Sequence, residues 1–268
     1  MTARRCRFCS TAYGAGRARE HVIPRWLLDE LGVRQETISP THFAQDGSAL
    51  STRTHRLDEL LEGRVCAACN NGWMSELENN AKPALCALMN LERRVVDLSA
   101  AERVVLARWT AKTAFALNSA SNYPKNIPAE HFMELRAADP PLPDRTAVYA
   151  QQHDGTAPFY WVQQAAWRTE VESESNETEE CTRAAQRSYK ISFQFRRLLL
   201  TSSWWPDPAW HYVIWRGVHV PLWPHRGRVG WYEQPGFPWA DSASALAHFH
   251  HGLMIAKHRP GQAPLATA

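Results

Sequence analysis

Long apolar runs are missing from this sequence. No stretch of eighteen apolar residues occurs, and the basic start MTARRCRFC is not followed by an apolar h-region, so neither a membrane span nor a secretory signal is expected. A cytoplasmic setting is the default expectation. A large charge excess is missing too. The formal charge is +3, too small by itself to announce a polyanion partner. Cysteine is scarce: six in 268 residues are too few for a disulfide-stapled scaffold, and a reducing cytoplasm argues against bridges. Repeats of the solenoid kind are absent. What remains, 44% hydrophobic and 21% charged, describes a globular chain long enough for one large domain or two small ones.

The few cysteines and the mild charge are unevenly placed. Cys6 and Cys9 form one CxxC pair and Cys66 and Cys69 a second, while Cys86 and Cys181 stand alone as ordinary unligated thiols, the latter in an acidic loop. Two CxxC turns can present four thiolates to one tetrahedral Zn²⁺. About 56 residues separate Cys9 from Cys66 rather than the 15–20 of a compact zinc ribbon, so a segment must be inserted between the knuckles. Residues 1–34 carry Arg4, Arg5, Arg7, Arg17, Arg19, Arg25 and Arg34 against only Glu20, Asp29 and Glu30, which makes nucleic acid a candidate partner at this end.

Along the chain, EHVI reads as a short extended piece, followed by Pro24 at a helix start and an apolar side made by Trp26, Leu27, Leu28 and Leu31. Residues 36–56, rich in Ser, Thr and Gly with Asp46–Gly47, suggest a hairpin or long loop. RVC leads into the second knuckle, and Gly72 to Leu91 continue as a helix interrupted or restarted at Pro83. Ser99 and Glu102 form a capping-box pattern ahead of a long helix, and a shorter one is expected near Ala129–Ala138. After Arg145 the pattern turns to strands, with alternation clearest at Tyr189, Ile191, Phe193 and Phe195. EVESESNETEE reads as a solvated loop, and SASALAHFHHGLMIAK as a helix covering the sheet with His248 to His251 on a solvated face. Tryptophans in this half are expected to pack a core rather than stack bases, as are Trp26 and Trp73.

Taken in order, CRFC, EHVIP and CAACNN before a helix resemble the HNH (His-Asn-His) nuclease superfamily, whose ββα-metal or treble-clef fold often carries CxxC … [DE]HxxP … CxxCN. The resemblance covers roughly the first 80 to 90 residues. It implies that His21 is the general base, that Glu20 and Asn70 hold a catalytic divalent ion such as Mg²⁺ or Mn²⁺ with Asn71 as a possible substitute, and that Cys6, Cys9, Cys66 and Cys69 hold a separate structural zinc. The chemistry asks for the same types. A neutral imidazole suits deprotonation of water, and a carboxylate with an amide carbonyl suits a hard cation. Glu20 stands where Asp is commoner, and no Asn precedes the second knuckle, where Leu61, Glu62 and Arg64 are found.

The expected architecture is therefore α+β: a zinc-knuckle module over 1–92, then a helical segment and an aromatic-rich antiparallel sheet over 93–268. The expected activity is hydrolysis of phosphodiester bonds in nucleic acid, DNA foremost, with Arg17, Arg19 and Arg25 toward phosphates and the C-terminal half choosing a target or protein partner. The second reading is a zinc-stabilised nucleic-acid or protein binding module without catalysis.

Overall fold

Two antiparallel strands frame the N-terminal part of the chain. In the computed structural model, which describes residues 4–13, 17–43, 48–155, 157–164, 167, 175–215, 218–223, 229–232 and 242–257, β1 (Arg17–His21) leads into α1 (Arg25–Leu31). Pro24 precedes α1, where its missing N–H would have had no helical partner, and Gly32 closes the helix at φ 72°, a left-handed cap. Leu27, Leu28 and Leu31 of α1 are buried. Between the knuckles the chain forms a two-tier arm, β2 (Thr37–Ile38) pairing with β5 (His55–Arg56) and β3 (Thr41–Phe43) with β4 (Ala49–Thr52). This is the hairpin that the composition suggests; Asp46 and Gly47 lie outside the described residues.

β6 (Leu61–Cys66) returns antiparallel to β1, with Arg17 opposite Cys66 and His21 opposite Leu61. A register shift between Ala18 and Glu20 interrupts the ladder, an irregularity of the kind that re-aims side chains beside a site. The chain then passes through α2 (Ala67–Cys69) and a wide turn over Asn70–Met74 into α3 (Ser75–Met89). The sequence suggests a break at Pro83, but the helical angles fail at Gly72 (φ −94°, ψ −115°) and α3 runs through Pro83 unbroken. Burial of Leu77, Ala81, Ala84, Leu85 and Leu88, with α3 lying against the next helix, outweighs the penalty of a helix-interior proline, about 3 kcal/mol.

That next helix, α4 (Ala100–Ala120), opens with the predicted capping box: Ser99 Oγ accepts from the Glu102 N–H while Glu102 Oε2 accepts from the Ser99 N–H at 2.9 Å. From Leu106 to Asn118 every residue but Arg108 is buried, because α4 lies between α3 and β6 on one side and the C-terminal sheet on the other. α5 (Ala129–Ala137) packs against it. One hydrophobic core runs without a gap from Cys6 and Phe8 through α3 and α4 to Phe193, Leu200 and Leu222, so residues on both sides of position 92 share it.

The C-terminal half is built from β7 (Thr146–Gln152), β8 (Phe159–Gln164), α6 (Ser175–Ala185), β9 (Tyr189–Phe195), β10 (Leu198–Trp204), β11 (Trp210–Trp215), β12 (Val220–Trp223), β13 (Val229–Tyr232), α7 (Ser242–Gly252) and β14 (Met254–Lys257). Five of the strands make an antiparallel sheet in the order β12-β7-β10-β9-β8. Strand alternation decides its two faces: Val148, Ala150, Ile191, Phe193, Leu198 and Leu200 enter the core shared with α4, whereas Ala147, Tyr149 and Leu199 enter a second core with Trp205, Tyr212 and Phe249. α7 covers β8, β9 and β10 as expected, and β11 pairs parallel with β13 and antiparallel with β14. The fold is α+β, and Trp205, Trp210 and Trp215 are core residues.

Three expectations for this half are corrected. The acidic stretch from Ser175 onward is helical, and Cys181 on α6 is buried among apolar neighbours instead of sitting in an acidic loop. The last helix stops at Gly252, and Met254–Lys257 is a strand. His250 does not face solvent: it is fully buried, with Nδ1 2.7 Å from Ser192 Oγ on β9. A polar side chain turned inward from a helix packed on a sheet is tolerated when the sheet offers it a hydrogen-bond partner, and Ser192 does.

Two further histidines are buried in aromatic surroundings. His131 lies against Phe115, Tyr189 and Trp204, and His219 stacks on Phe249 while its Nε2 meets the Phe249 carbonyl at 2.9 Å. Burial pushes both down to about 4, from an ordinary value near 6.5. Between those two values the unfolded chain binds more protons than the folded one, so stability rises with pH across the window and is lost as pH falls from about 6.5 toward 4. The unfolding free energy from urea titrations followed by tryptophan fluorescence is expected to hold steady above pH 7 and to drop below 6.5, by up to about 1.4 kcal/mol per pH unit for each histidine. His131→Phe should flatten that slope, and a variant as steep as wild type would remove His131 from this account.

Candidate functional site

The first knuckle is a tight turn: Ser10 N–H donates to the Cys6 carbonyl at 2.9 Å, and Arg7 N–H donates to the Arg64 carbonyl at 2.9 Å, tying the turn to β6. The second knuckle begins where β6 ends. Cys66 caps α2, its sulfur accepting from the Cys69 N–H at 3.4 Å. Ligand atoms of Cys6, Cys9, Cys66 and Cys69 all lie within 4.8 Å of one another, and Cys9 Sγ is 3.7 Å from Cys66 Sγ. A tetrahedron of Zn–S bonds of about 2.3 Å has edges of about 3.8 Å, so the cluster fits a metal such as zinc. The inserted arm leaves from one knuckle and returns to the other without spreading them.

The thiols have diverging acidities. Burial pushes Cys6 and Cys69 up, whereas at Cys9 burial is outweighed by hydrogen bonds from Thr11 and from the neighbouring cysteines, which bring it down to about 6. Four thiolates this close repel one another, and a dication in their midst is what allows all four to ionise. Cys86 and Cys181 stand apart from the cluster, as their isolation in the sequence implies.

Beside the cluster lies an open pocket of about 270 Å³. One wall comes from β1 and the start of α1, with Arg19, Glu20, His21, Arg25 and Trp26; the other comes from the turn and α3, with Asn70, Asn71, Ser75 and Glu78. The β1–β6 ladder, anchored by Arg17 opposite Cys66, sets β1 against the turn that follows the second knuckle. The pocket thus brings Glu20, His21 and Asn70 together. Arg19 and Arg25 are exposed at it, and the side chain of Arg17 lies outside the described residues.

Each group has a distinct environment. His21 is half-buried, and burial together with the Arg25 charge lowers its basicity, which keeps the imidazole neutral at neutral pH. Asn70 Nδ2 donates to Asn71 Oδ1 at 2.9 Å, while Asn70 Oδ1 is buried with no hydrogen-bond partner among the described residues. A buried carbonyl oxygen left in this way is a fitting donor for a hard cation. Glu20 is 6% exposed and accepts from Lys112 Nζ at 2.6 Å; Lys112 Nζ also donates to Glu78 Oε1 at 2.6 Å. Burial would lower Lys112, but the charges of Glu20 and Glu78 more than reverse it, so the ammonium persists.

Sequence reasoning missed Glu78 and Lys112. Glu78 shares a helical face with Ser75 but is separated from Asn70 by the irregular turn at Gly72, which scrambles any periodicity that would link them. Lys112 had a signal: it is the sole charge between Trp109 and Ala120, in a run otherwise fit for burial, and fully buried lysines are almost always paired. Trp26, expected in the core, packs against it from one side and lines the pocket on the other. Among the described residues no helix is long and apolar enough to cross a membrane. Scans of the chain against protein-family models, curated proteins and solved structures find no match, so the reading of the site rests on its own geometry.

Proposed function

We propose that the protein is an HNH-type endonuclease that hydrolyses phosphodiester bonds in nucleic acid, DNA foremost, within the cytoplasm. The observation that carries the reading is the meeting of Glu20, His21 and Asn70 in one pocket beside a four-cysteine cluster, although Asn70 lies 50 residues from Glu20. On this reading the cysteines hold a structural zinc, which fixes where β6 ends and where Asn70 begins its turn. His21, neutral in its half-buried setting, takes the proton from water as it attacks phosphorus, and the P–O bond to the leaving sugar oxygen breaks, that oxygen taking up a proton from solvent. Glu20 and Asn70 would hold Mg²⁺ or Mn²⁺, which would supply charge stabilisation at the scissile phosphate. Arg19 and Arg25, exposed at the rim, draw the flanking phosphates and orient the strand.

One observation favours the second reading, a zinc-stabilised binding module without catalysis: Glu20 Oε1 is already engaged by Lys112. Purified full-length protein incubated with plasmid DNA, single-stranded DNA and RNA, with Mg²⁺ or Mn²⁺ and with EDTA, separates the two. Metal-dependent cutting supports the nuclease. Intact substrate from a folded, zinc-loaded protein that still shifts nucleic acid in a gel supports the binding module.

A further inference from the structure

The triad at the back of the pocket is unusual in where its cation comes from. Glu20 lies on β1 and Glu78 on α3, both in the part of the chain that carries the cysteines, whereas Lys112 reaches them from the middle of α4. Its ammonium is fully buried and sits 2.6 Å from an oxygen of each carboxylate, the separation of strong charge-assisted hydrogen bonds. The carboxylates also lie close enough to act on one another. Two carboxylates this near stay ionised together when a cation lies between them; without one, a proton on either would serve instead. Glu20 and Glu78 nevertheless both line the pocket, their side chains 8% and 20% exposed, so the pair faces Lys112 inward and open space outward. The unpartnered Asn70 carbonyl is at the same pocket.

We infer that Lys112 is a resident cation standing in for the divalent ion, that an incoming ion shares or displaces it at Glu20 and Glu78, and that Lys112 thereby sets the metal affinity of the site. The inference rests on the proposed assignment of Glu20 and Asn70 as ion ligands and extends it with Glu78 as a third oxygen donor. Two carboxylates against one ammonium leave the trio with a single surplus negative charge for an ion to use. Removing the ammonium's charge doubles that surplus. Because α4 is packed on nearly every side, Lys112 stays close even when an ion takes its place on the carboxylate oxygens, and its charge opposes a dication at short range. The site is therefore built to stay ordered without metal, at the expense of affinity.

The test measures Mn²⁺ binding by electron paramagnetic resonance on zinc-loaded full-length protein, with Tm recorded with and without Mn²⁺. Lys112→Gln replaces the ammonium with a neutral amide that can still donate to a carboxylate, and with the cation–dication repulsion removed it is expected to bind Mn²⁺ about 10- to 100-fold more tightly than wild type. Lys112→Arg, which keeps the charge, should not tighten. Glu78→Gln placed on Lys112→Gln should reverse the gain, and Glu20→Gln should leave the free-Mn²⁺ signal undiminished, which locates the ion. Equal Mn²⁺ affinity in wild type and Lys112→Gln overturns the inference. If Lys112→Gln is unfolded without metal, recovery of its folded spectrum by Mn²⁺ supports the exchange; no recovery assigns Lys112 to the fold alone and overturns it. Binding without cleavage would refute the nuclease reading and leave the exchange standing, whereas cleavage with unchanged affinity would refute only the exchange.

Discussion

His21→Ala is expected to lower metal-dependent cleavage of DNA by about 10²- to 10⁴-fold, the range for loss of a general acid or base, while zinc content and Tm stay close to wild type. The asymmetry follows from where the residue sits. Its backbone belongs to the β1–β6 ladder opposite Leu61 and survives truncation of the side chain. Its imidazole is half-buried at the pocket, outside the shared core, so little apolar packing is lost. No other described residue lining this pocket is a neutral base at pH 7: Glu20 and Glu78 are tied to Lys112, and Arg19 and Arg25 are cations. Mutating Arg25 is a different kind of lesion and should weaken substrate binding with a shallower salt dependence. Cutting by His21→Ala at the wild-type rate would place the base elsewhere and with it the proposed mechanism would fall.

Cys66→Ser is expected to have the largest effect on the fold. Zinc should drop from about one per chain to near none, and Tm should fall by about 10 °C or more. Cys66 is at once the last residue of β6, the cap of α2 and the near neighbour of the Cys9 sulfur. Binding of zinc to four-ligand knuckles is worth on the order of 10 kcal/mol, comparable with the whole stability of a domain. At about 2–4 °C per kcal/mol for a chain of this size, loss of even a third of that is a large shift. The damage should spread beyond the knuckles, because Cys6, Cys66 and Cys69 belong to the same core as α3 and α4. Cys86→Ser, away from the cluster, should leave zinc unchanged. A Cys66→Ser protein that retains one zinc and its Tm would show that the cluster is not the metal's home.

The features legible in the sequence are those written within a few residues of one another. The CxxC spacing makes a knuckle wherever it stands, the Ser99–Glu102 box caps a helix from four consecutive positions, and the alternation through Tyr189 to Phe195 defines one face of a strand. Glu20, His21 and Asn70 were legible because the order of three short motifs implied a site whose parts each motif already carried. The adjacency of Cys9 to Cys66 across the arm follows from the expectation that both knuckles face one ion.

What only the tertiary structure decided depends on which segment lies opposite which. Periodicity tells that α4 will be buried; it does not tell that Lys112 will meet Glu20, 92 positions away, with Glu78 on the same ammonium. The same limit applies to His250, whose burial hangs on a serine across the interface, and to Pro83, tolerated because α3 is held against α4. The acidic text of α6 concealed a helix whose inward side is Cys181 and Ala185, since solvated glutamates dominate composition while two small buried residues decide packing. Local sequence determined the pieces and the chemistry each can perform. Long-range packing determined the partners, because pairing energies between distant residues exist only once the chain has brought them together.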